Sequence, residues 1–156
     1  MSLKTIEIVR YKHHLDSLFE KGPSLADDPE LLANWAKYLC VLVSGFVEES
    51  VRVLVLKYAK SKAAPEIGHF VSCRIREFHN AKMSNILTLL EDFSKELRSQ
   101  IESATEGELK DAVDSVVQNR HLIAHGRSTG ITFVTIKDYY KRVLSVVEYL
   151  EIALDS

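Results

Sequence analysis

The chain of 156 residues is short of the residues that interrupt regular structure or tie it together covalently. It contains three Pro, six Gly and two Cys. So few residues that break helices indicate long, uninterrupted elements. Cys40 and Cys73 lie far apart in apolar or helical surroundings. We therefore expect core thiols in a reducing compartment and no disulfide framework.

A strong net charge and a hydrophobic run of membrane length are also missing. The formal net charge is −2, which gives no global attraction to nucleic acid, so any RNA binding needs a local basic patch. The apolar run over residues 38–47 has only ten residues, whereas a membrane-spanning helix needs about 20. The first ten residues are amphipathic and lack the apolar segment of a signal peptide. We expect a cytoplasmic protein without a membrane anchor.

Helical periodicity of the apolar residues runs through nearly the whole chain. A composition of 46% hydrophobic and 27% charged residues is typical of globular proteins. The pattern predicts an all-α fold, a single-domain helical bundle of five to six helices over residues 1–156. The predicted helices cover residues 3–21, 29–62, 65–79, 84–103, 108–125 and 135–154.

Residue types that start and stop helices set several of these boundaries. Asp28 before a proline is a strong start for the long second helix. Residues 105–108 have the pattern of a capping box for the helix that follows. Gly126 is a natural left-handed cap at the end of that helix, and Thr135 is the candidate cap of the last one.

The helix over residues 108–125 carries Arg120 within its apolar stripe. At about 100° per residue, six apolar side chains fall within roughly 60° of it. They are Leu109, Val113, Val116, Val117, Ile123 and Ala124. A guanidinium keeps its charge at any accessible pH, and burying it unpaired is costly. Arg120 is therefore either paired inside the core or placed at a seam that an anion can reach, with His121 and His125 along the edge of the same stripe.

Arginine and histidine near a helix end supply the chemistry needed to cleave RNA without a metal ion. A guanidinium binds a phosphate through two parallel hydrogen bonds and stabilises charge that builds up on its oxygens. A histidine, with an ordinary pKa of about 6.5, takes the proton of a ribose 2′-hydroxyl or gives one to the leaving oxygen. Two such pairs that meet across a two-fold axis would supply both proton-transfer groups.

Residues 119–126 (NRHLIAHG), together with the helical pattern, resemble the HEPN superfamily, and in particular its RiboL-PSP type. That family carries an Arg, a following polar residue and a His four to six residues after the Arg, late in a C-terminal helix. Arg120, His121 and His125 match these positions. The resemblance implies a homodimer with facing motifs and a metal-independent endoribonuclease that leaves a 2′,3′-cyclic phosphate and needs no cofactor. It also implies a role as a toxin or defence effector, with an antitoxin protein as a partner.

The same short pattern occurs a second time, with Arg74 and His79, and Arg74 also has apolar neighbours. The capping box, the glycine stop and the polar residue after Arg120 favour the later copy. His121 and His125 have the spacing of two metal ligands on a helix, but no third ligand stands out, so we expect no metal site.

Three polar residues are candidates for supporting the motif. Glu48 or Glu49 would hold the Arg120 guanidinium in place, or alternatively form a surface pair with Arg52. Asn119, directly before the arginine, is the third.

Basic residues interleaved with tyrosines follow the motif and would guide a single RNA strand and stack a base. The alternative interpretation is a solvated helix face with Tyr139 in the core. The candidates are Arg127, Tyr139, Lys141 and Arg142.

Three functions remain open at this point. In the first, the protein is a homodimeric ribonuclease in which Arg120 binds the phosphate, His125 is the acid–base catalyst and His121 assists. In the second, a non-catalytic HEPN module binds RNA, a nucleotide or a partner protein through the same cleft. In the third, the protein is a structural helical dimer in which Arg120 pairs with Glu48 or Glu49.

Overall fold

The computed structural model describes residues 2–155, and within that range the chain forms seven α-helices, one short 3-10 helix and no β-strand. The α-helices are α1 (Ile6–Glu20), α2 (Pro29–Lys62), α3 (Pro65–Ile75), α4 (Met83–Phe93), α5 (Lys95–Thr105), α6 (Glu108–Ala124) and α7 (Phe133–Leu154). The 3-10 helix, Gly22–Leu25, lies between α1 and α2. The all-α prediction is confirmed, although the expected five to six helices were too few.

Helix α2 is the axis of the bundle and packs against α1, α3, α6 and α7. It begins as predicted, because the Asp28 carboxylate accepts a hydrogen bond from the backbone N–H of Leu31 at 3.1 Å. Leu39, Val43 and Phe46 on its inner face have no exposed surface. Although α2 is long, no helix within the described range combines the length and apolar character that a membrane span requires.

Helix α7 closes the core against α2 and α6. Its buried tyrosine is Tyr140, which stacks on Phe19 with ring centres 4.7 Å apart. Tyr139, predicted to lie on the buried stripe, is only half-buried at the margin of the core. Near its C-terminus, Glu151 accepts hydrogen bonds from the backbone N–H groups of Lys4 and Thr5 and so caps the start of α1.

The single helix predicted over residues 84–103 is wrong, since Ser94 divides it into α4 and α5. Ser94 has an extended backbone, with φ −164°. Its hydroxyl accepts hydrogen bonds from the N–H groups of Glu96 and Leu97. A serine competes with the helix for backbone hydrogen bonds, which makes it a better cap than an interior residue.

Two predicted caps are also wrong. Thr105 is the last residue of α5, and its hydroxyl donates to the carbonyl oxygen of Ile101 at 2.7 Å. Helix α6 starts instead after Gly107, whose φ of +88° suits glycine. The N-cap of α7 is Thr132, whose hydroxyl accepts from the N–H of Thr135 at 3.1 Å, so this helix starts earlier than predicted.

Candidate functional site

A sharp reversal at the end of α6 positions the two histidines of the motif. Gly126 has a φ of +65°, which confirms its predicted role as a left-handed cap. The Arg127 N–H donates across it to the Leu122 carbonyl oxygen at 2.9 Å, as in a Schellman motif. The centres of the imidazole rings of His121 and His125 lie 4.4 Å apart. No group of three His, Cys, Asp or Glu side chains suited to a metal ion is present among residues 2–155.

Arg120 is exposed rather than buried in the apolar stripe of α6. Within that stripe Val113 and Val116 are buried and Ile123 packs partly buried against the core, while Ala124 at the helix end is exposed. In the part of the chain that the structure describes, the guanidinium has no hydrogen-bond or ion-pair partner. The sequence left two placements open for Arg120, and the structure has the second one: the guanidinium lies at the surface, where an anion can reach it.

Arg120 and His121 line a cavity of about 650 Å³ between α2, α6 and the connection from α3 to α4. Three of its residues come from that connection and are far from the motif in sequence. The other lining residues are Ser44, Glu48, His79, Asn80, Lys82, Asp114, Val117 and Gln118. His125 does not line this cavity, although its ring centre lies 4.4 Å from that of His121, which does.

Glu48 lines the cavity but bonds to partners other than Arg120. One carboxylate oxygen accepts from the backbone N–H of Asn80 at 3.2 Å, and the other lies 3.5 Å from the Arg52 guanidinium. The half-exposed Glu49 also pairs with Arg52, at 3.3 Å. Within the described residues, neither carboxylate contacts Arg120, and the alternative pair of Glu48 with Arg52 is present.

Asp114, the other carboxylate that lines the cavity, also has hydrogen-bond and ion-pair partners, whereas two cationic side chains of the cavity have none within the described residues. Asp114 accepts from the backbone N–H of Met83 at 2.9 Å and pairs with Lys110 at 3.1 Å. Across residues 2–155, the side chains of Lys82 and Arg120 have no such partner. The cavity thus presents an ammonium and a guanidinium to solvent, a combination that suits phosphate groups.

The connection from α3 to α4 begins at residue 76, because α3 ends at Ile75 rather than at the predicted residue 79, and residues 78–83 span its later part and the first residue of α4. Arg52 holds it by donating to the Phe78 carbonyl oxygen from Nε at 3.2 Å and from Nη2 at 2.7 Å. Nη2 also lies 3.3 Å from Nδ1 of His79. Asn80 follows with a left-handed backbone, φ +55°.

The structure separates the two members of the earlier arginine–histidine pattern. Arg74 is exposed, and its guanidinium lies 5.3 Å from the ring centre of Phe70, itself 57% exposed. His79 instead lies around the same cavity as Arg120. The sequence predicts the two copies as competing sites and gives no sign that His79 and Arg120 line one cavity.

Asn119 fixes the segment that follows the motif. Its Nδ2 donates to the Ser115 carbonyl oxygen at 2.8 Å, and its Oδ1 accepts from the Thr129 hydroxyl. Thr129 in turn accepts from the backbone N–H of Ile131 at 3.3 Å. Asn119 therefore ties the connector between α6 and α7 to the last turns of α6.

Most of the predicted RNA-guiding residues are engaged or located elsewhere. Arg142 pairs with Asp138 at 3.3 Å, and Tyr139 is half-buried against the core. Lys141 lies beside a separate groove between α1 and α7. Arg127 is exposed and directly follows the reversal of the chain, so it is the one nearest to the motif in sequence.

Comparison with known protein families gives a match over almost the whole chain. The family model described as RiboL-PSP-HEPN matches residues 6–156. The match includes all the helices described above and every residue around the cavity. It confirms the resemblance seen in residues 119–126. No curated protein and no solved structure matches the chain.

Proposed function

Because the chain belongs to the RiboL-PSP-HEPN family, we propose that it is a metal-independent endoribonuclease. The observation that carries this proposal is the Arg120 guanidinium, which lines an open cavity beside His121 and, across residues 2–155, has no partner. Arg120 binds the scissile phosphate, His125 transfers protons and His121 assists it. Asn119 supports this end of the helix through its bond to Thr129.

The proposed reaction is a transesterification within the RNA strand. The 2′-oxygen attacks the adjacent phosphorus, the bond to the 5′-oxygen of the next nucleotide breaks, and a 2′,3′-cyclic phosphate forms. A neutral imidazole takes the 2′-hydroxyl proton, and an imidazolium gives a proton to the leaving 5′-oxygen. Two parallel hydrogen bonds from Arg120 stabilise the charge on the non-bridging oxygens.

We propose that two copies of the chain complete the site. His125 caps α6 beside His121, apart from the cavity residues, so a second motif would have to supply one of the two proton-transfer groups. On α2, the exposed Leu31, Tyr38 and Val41 lie within an arc of roughly 80°. Such an apolar stripe favours burial against another subunit, and a two-fold contact would bring the two motifs together.

The biological role that we propose is that of a toxin or defence effector in the cytoplasm, held in check by an antitoxin protein. This part of the proposal is supported by the family resemblance. A bound antitoxin would act by covering the cavity or by preventing the two motifs from meeting.

RNA cleavage in EDTA tests the proposal. Removing one acid–base or phosphate-binding group should lower the rate by about 100-fold or more in Arg120→Ala and His125→Ala. Arg74→Ala is the matched control, because it removes an exposed arginine that stacks on Phe70. The products should carry cyclic-phosphate ends. A folded, dimeric wild type that leaves RNA intact would overturn the enzyme proposal.

The second candidate is a non-catalytic module that binds RNA, a nucleotide or a partner protein through the same cavity. It is favoured by the position of His125, which does not line the cavity that Arg120 and His121 line. Oligonucleotide binding without cleavage, abolished in Arg120→Ala, is the result expected of such a module.

A further inference from the structure

We propose that the connection between α3 and α4, residues 78–83, forms the second wall of the RNA site. In this arrangement Lys82 binds a phosphate next to the one on Arg120, and His79 donates a hydrogen bond to the same stretch of strand. The inference rests on the proposed function, since it states where the strand runs beside the scissile phosphate.

Within the described residues, the side chain of Lys82 forms no hydrogen bond or ion pair that would hold this wall in place. It is exposed, it lines the cavity together with Arg120, and in the described part of the chain its ammonium has no ion-pair partner. The nearby carboxylates of Glu48 and Asp114 are both engaged by other groups. A polynucleotide carries a phosphate at every nucleotide, so two free cations in one cavity match a strand better than they match a single anion.

His79 is held as a hydrogen-bond donor. Nη2 of Arg52 lies 3.3 Å from its Nδ1, and a guanidinium can only donate. This contact favours the neutral tautomer in which Nδ1 accepts and Nε2 carries the proton. In that tautomer the ring offers an N–H to a phosphate or ribose oxygen. His79 is therefore a positioning residue.

The wall is fixed before any strand binds. Asn80 has a φ of +55°, in the left-handed region that asparagine adopts more readily than most other non-glycine residues. Its N–H donates to Glu48 at 3.2 Å, and its carbonyl oxygen accepts from Asn85 at 2.8 Å. The N–H of Met83 donates to Asp114 at 2.9 Å. Side chains from α2, α4 and α6 thus set the turn, so binding need not supply the free energy to order it.

Salt-dependent binding tests the role of Lys82 without turnover. The probe is a fluorescein-labelled 2′-O-methyl oligouridylate, which keeps the phosphates but lacks the attacking hydroxyl, and the readout is anisotropy of the full-length protein. Lys82→Ala should reduce the slope of log K against log salt by about 0.7 for each phosphate that the ammonium neutralises in the wild type. Lys95→Ala removes the same charge from an exposed position at the start of α5 and should leave the slope unchanged. Equal slopes for the two variants overturn the proposal for Lys82.

Two replacements of His79 test its role. His79→Ala should weaken oligouridylate binding several-fold and, in the cleaving enzyme, raise KM while leaving the pH profile of kcat unchanged. His79→Gln places an amide N–H near the position of Nε2 and should restore most of the affinity. A changed pH profile, or equal loss in both variants, contradicts the positioning role. If Arg120→Ala abolishes cleavage but Lys82→Ala and His79→Ala bind like the wild type, the proposed function stands and this inference fails.

Discussion

Replacing Arg52 by Met is the sharpest test of how the cavity wall at residues 78–83 is held. The guanidinium donates twice to the Phe78 carbonyl oxygen, at 3.2 and 2.7 Å, and lies 3.3 Å from His79. Its side chain is 23% exposed, so the wall depends on bonds that are partly shielded from water. Methionine preserves much of the apolar stem of arginine but cannot donate a hydrogen bond.

The expected loss of stability follows from these hydrogen bonds. A hydrogen bond from a charged donor contributes about 1.5–3 kcal/mol. The two bonds share one carbonyl oxygen of Phe78, so we count them once. The pair with the exposed Glu49 adds little, because surface ion pairs contribute about 0–1 kcal/mol, and the pair with the part-buried Glu48 is long, at 3.5 Å, so neither is counted. We expect the turn to be destabilised by about 2 kcal/mol, which corresponds to about 30-fold in its opening equilibrium.

Hydrogen exchange of single backbone amides measures this destabilisation. The N–H groups of Asn80 and Met83 are bonded to carboxylates within the described part of the chain, and both should exchange about 30-fold faster in Arg52→Met. Amides in the middle of α7 should be unaffected. Arg98→Met, which removes an arginine of α5 that pairs with Glu91 of α4 and Glu102 of α5, is the control and should leave the turn unchanged. Wild-type exchange at Asn80 in the Arg52→Met protein would refute the claim that Arg52 holds the turn.

Two further predictions concern stability and thiol reactivity. Burial opposes ionisation of Glu151, but hydrogen bonds from Thr5 and Lys4 outweigh it and lower its pKa. Its contribution is therefore complete above the unfolded pKa of about 4.3 and disappears as the pH falls through the lower folded pKa. In urea unfolding, Glu151→Gln should be destabilised near neutral pH by about 1.5–3 kcal/mol, and its difference from the wild type should shrink in acid; a constant difference would contradict this. Burial raises the pKa of the Cys40 thiol to about 12, so a thiol reagent should modify half-exposed Cys73 first and Cys40 only on unfolding, whereas two equally fast thiols would contradict that placement.

The helices were predictable wherever periodicity and a strong local cap agreed. Asp28 before a proline and Gly126 after an apolar turn each have one favoured conformation, and both were placed correctly. Ser94 and Thr105 were not, because a hydroxyl side chain is compatible with a helix interior, an N-cap or a helix end. The choice among these depends on which apolar faces α4 and α5 bury, and that is a property of the whole bundle.

The site was predictable in its residue types but not in its surroundings. The short motif predicted that Arg120 and His121 belong to one site, and both line the cavity. Periodicity left two placements open for Arg120, inside the core or at a seam, because it shows which face of a helix is apolar but not which of its side chains the neighbouring helices cover; Arg120 is exposed. Glu48 was predicted near the site and is there, yet it binds the turn at Asn80 rather than Arg120, since a carboxylate can reach several partners from one backbone position.

Each of the two arginine–histidine patterns contributes residues to the lining of the cavity. The later pattern supplies the cation and the first histidine of the cavity through Arg120 and His121, and the earlier one supplies His79 from the opposite wall. Arg74, the remaining member, stacks on exposed Phe70 instead. Both arginines have apolar neighbours in the sequence, and each pattern contributes different residues to the cavity, so apolar neighbours alone could not show which pattern forms the site. It also makes Arg74 a suitable control for cleavage, whereas a variant of His79 would disturb the cavity itself.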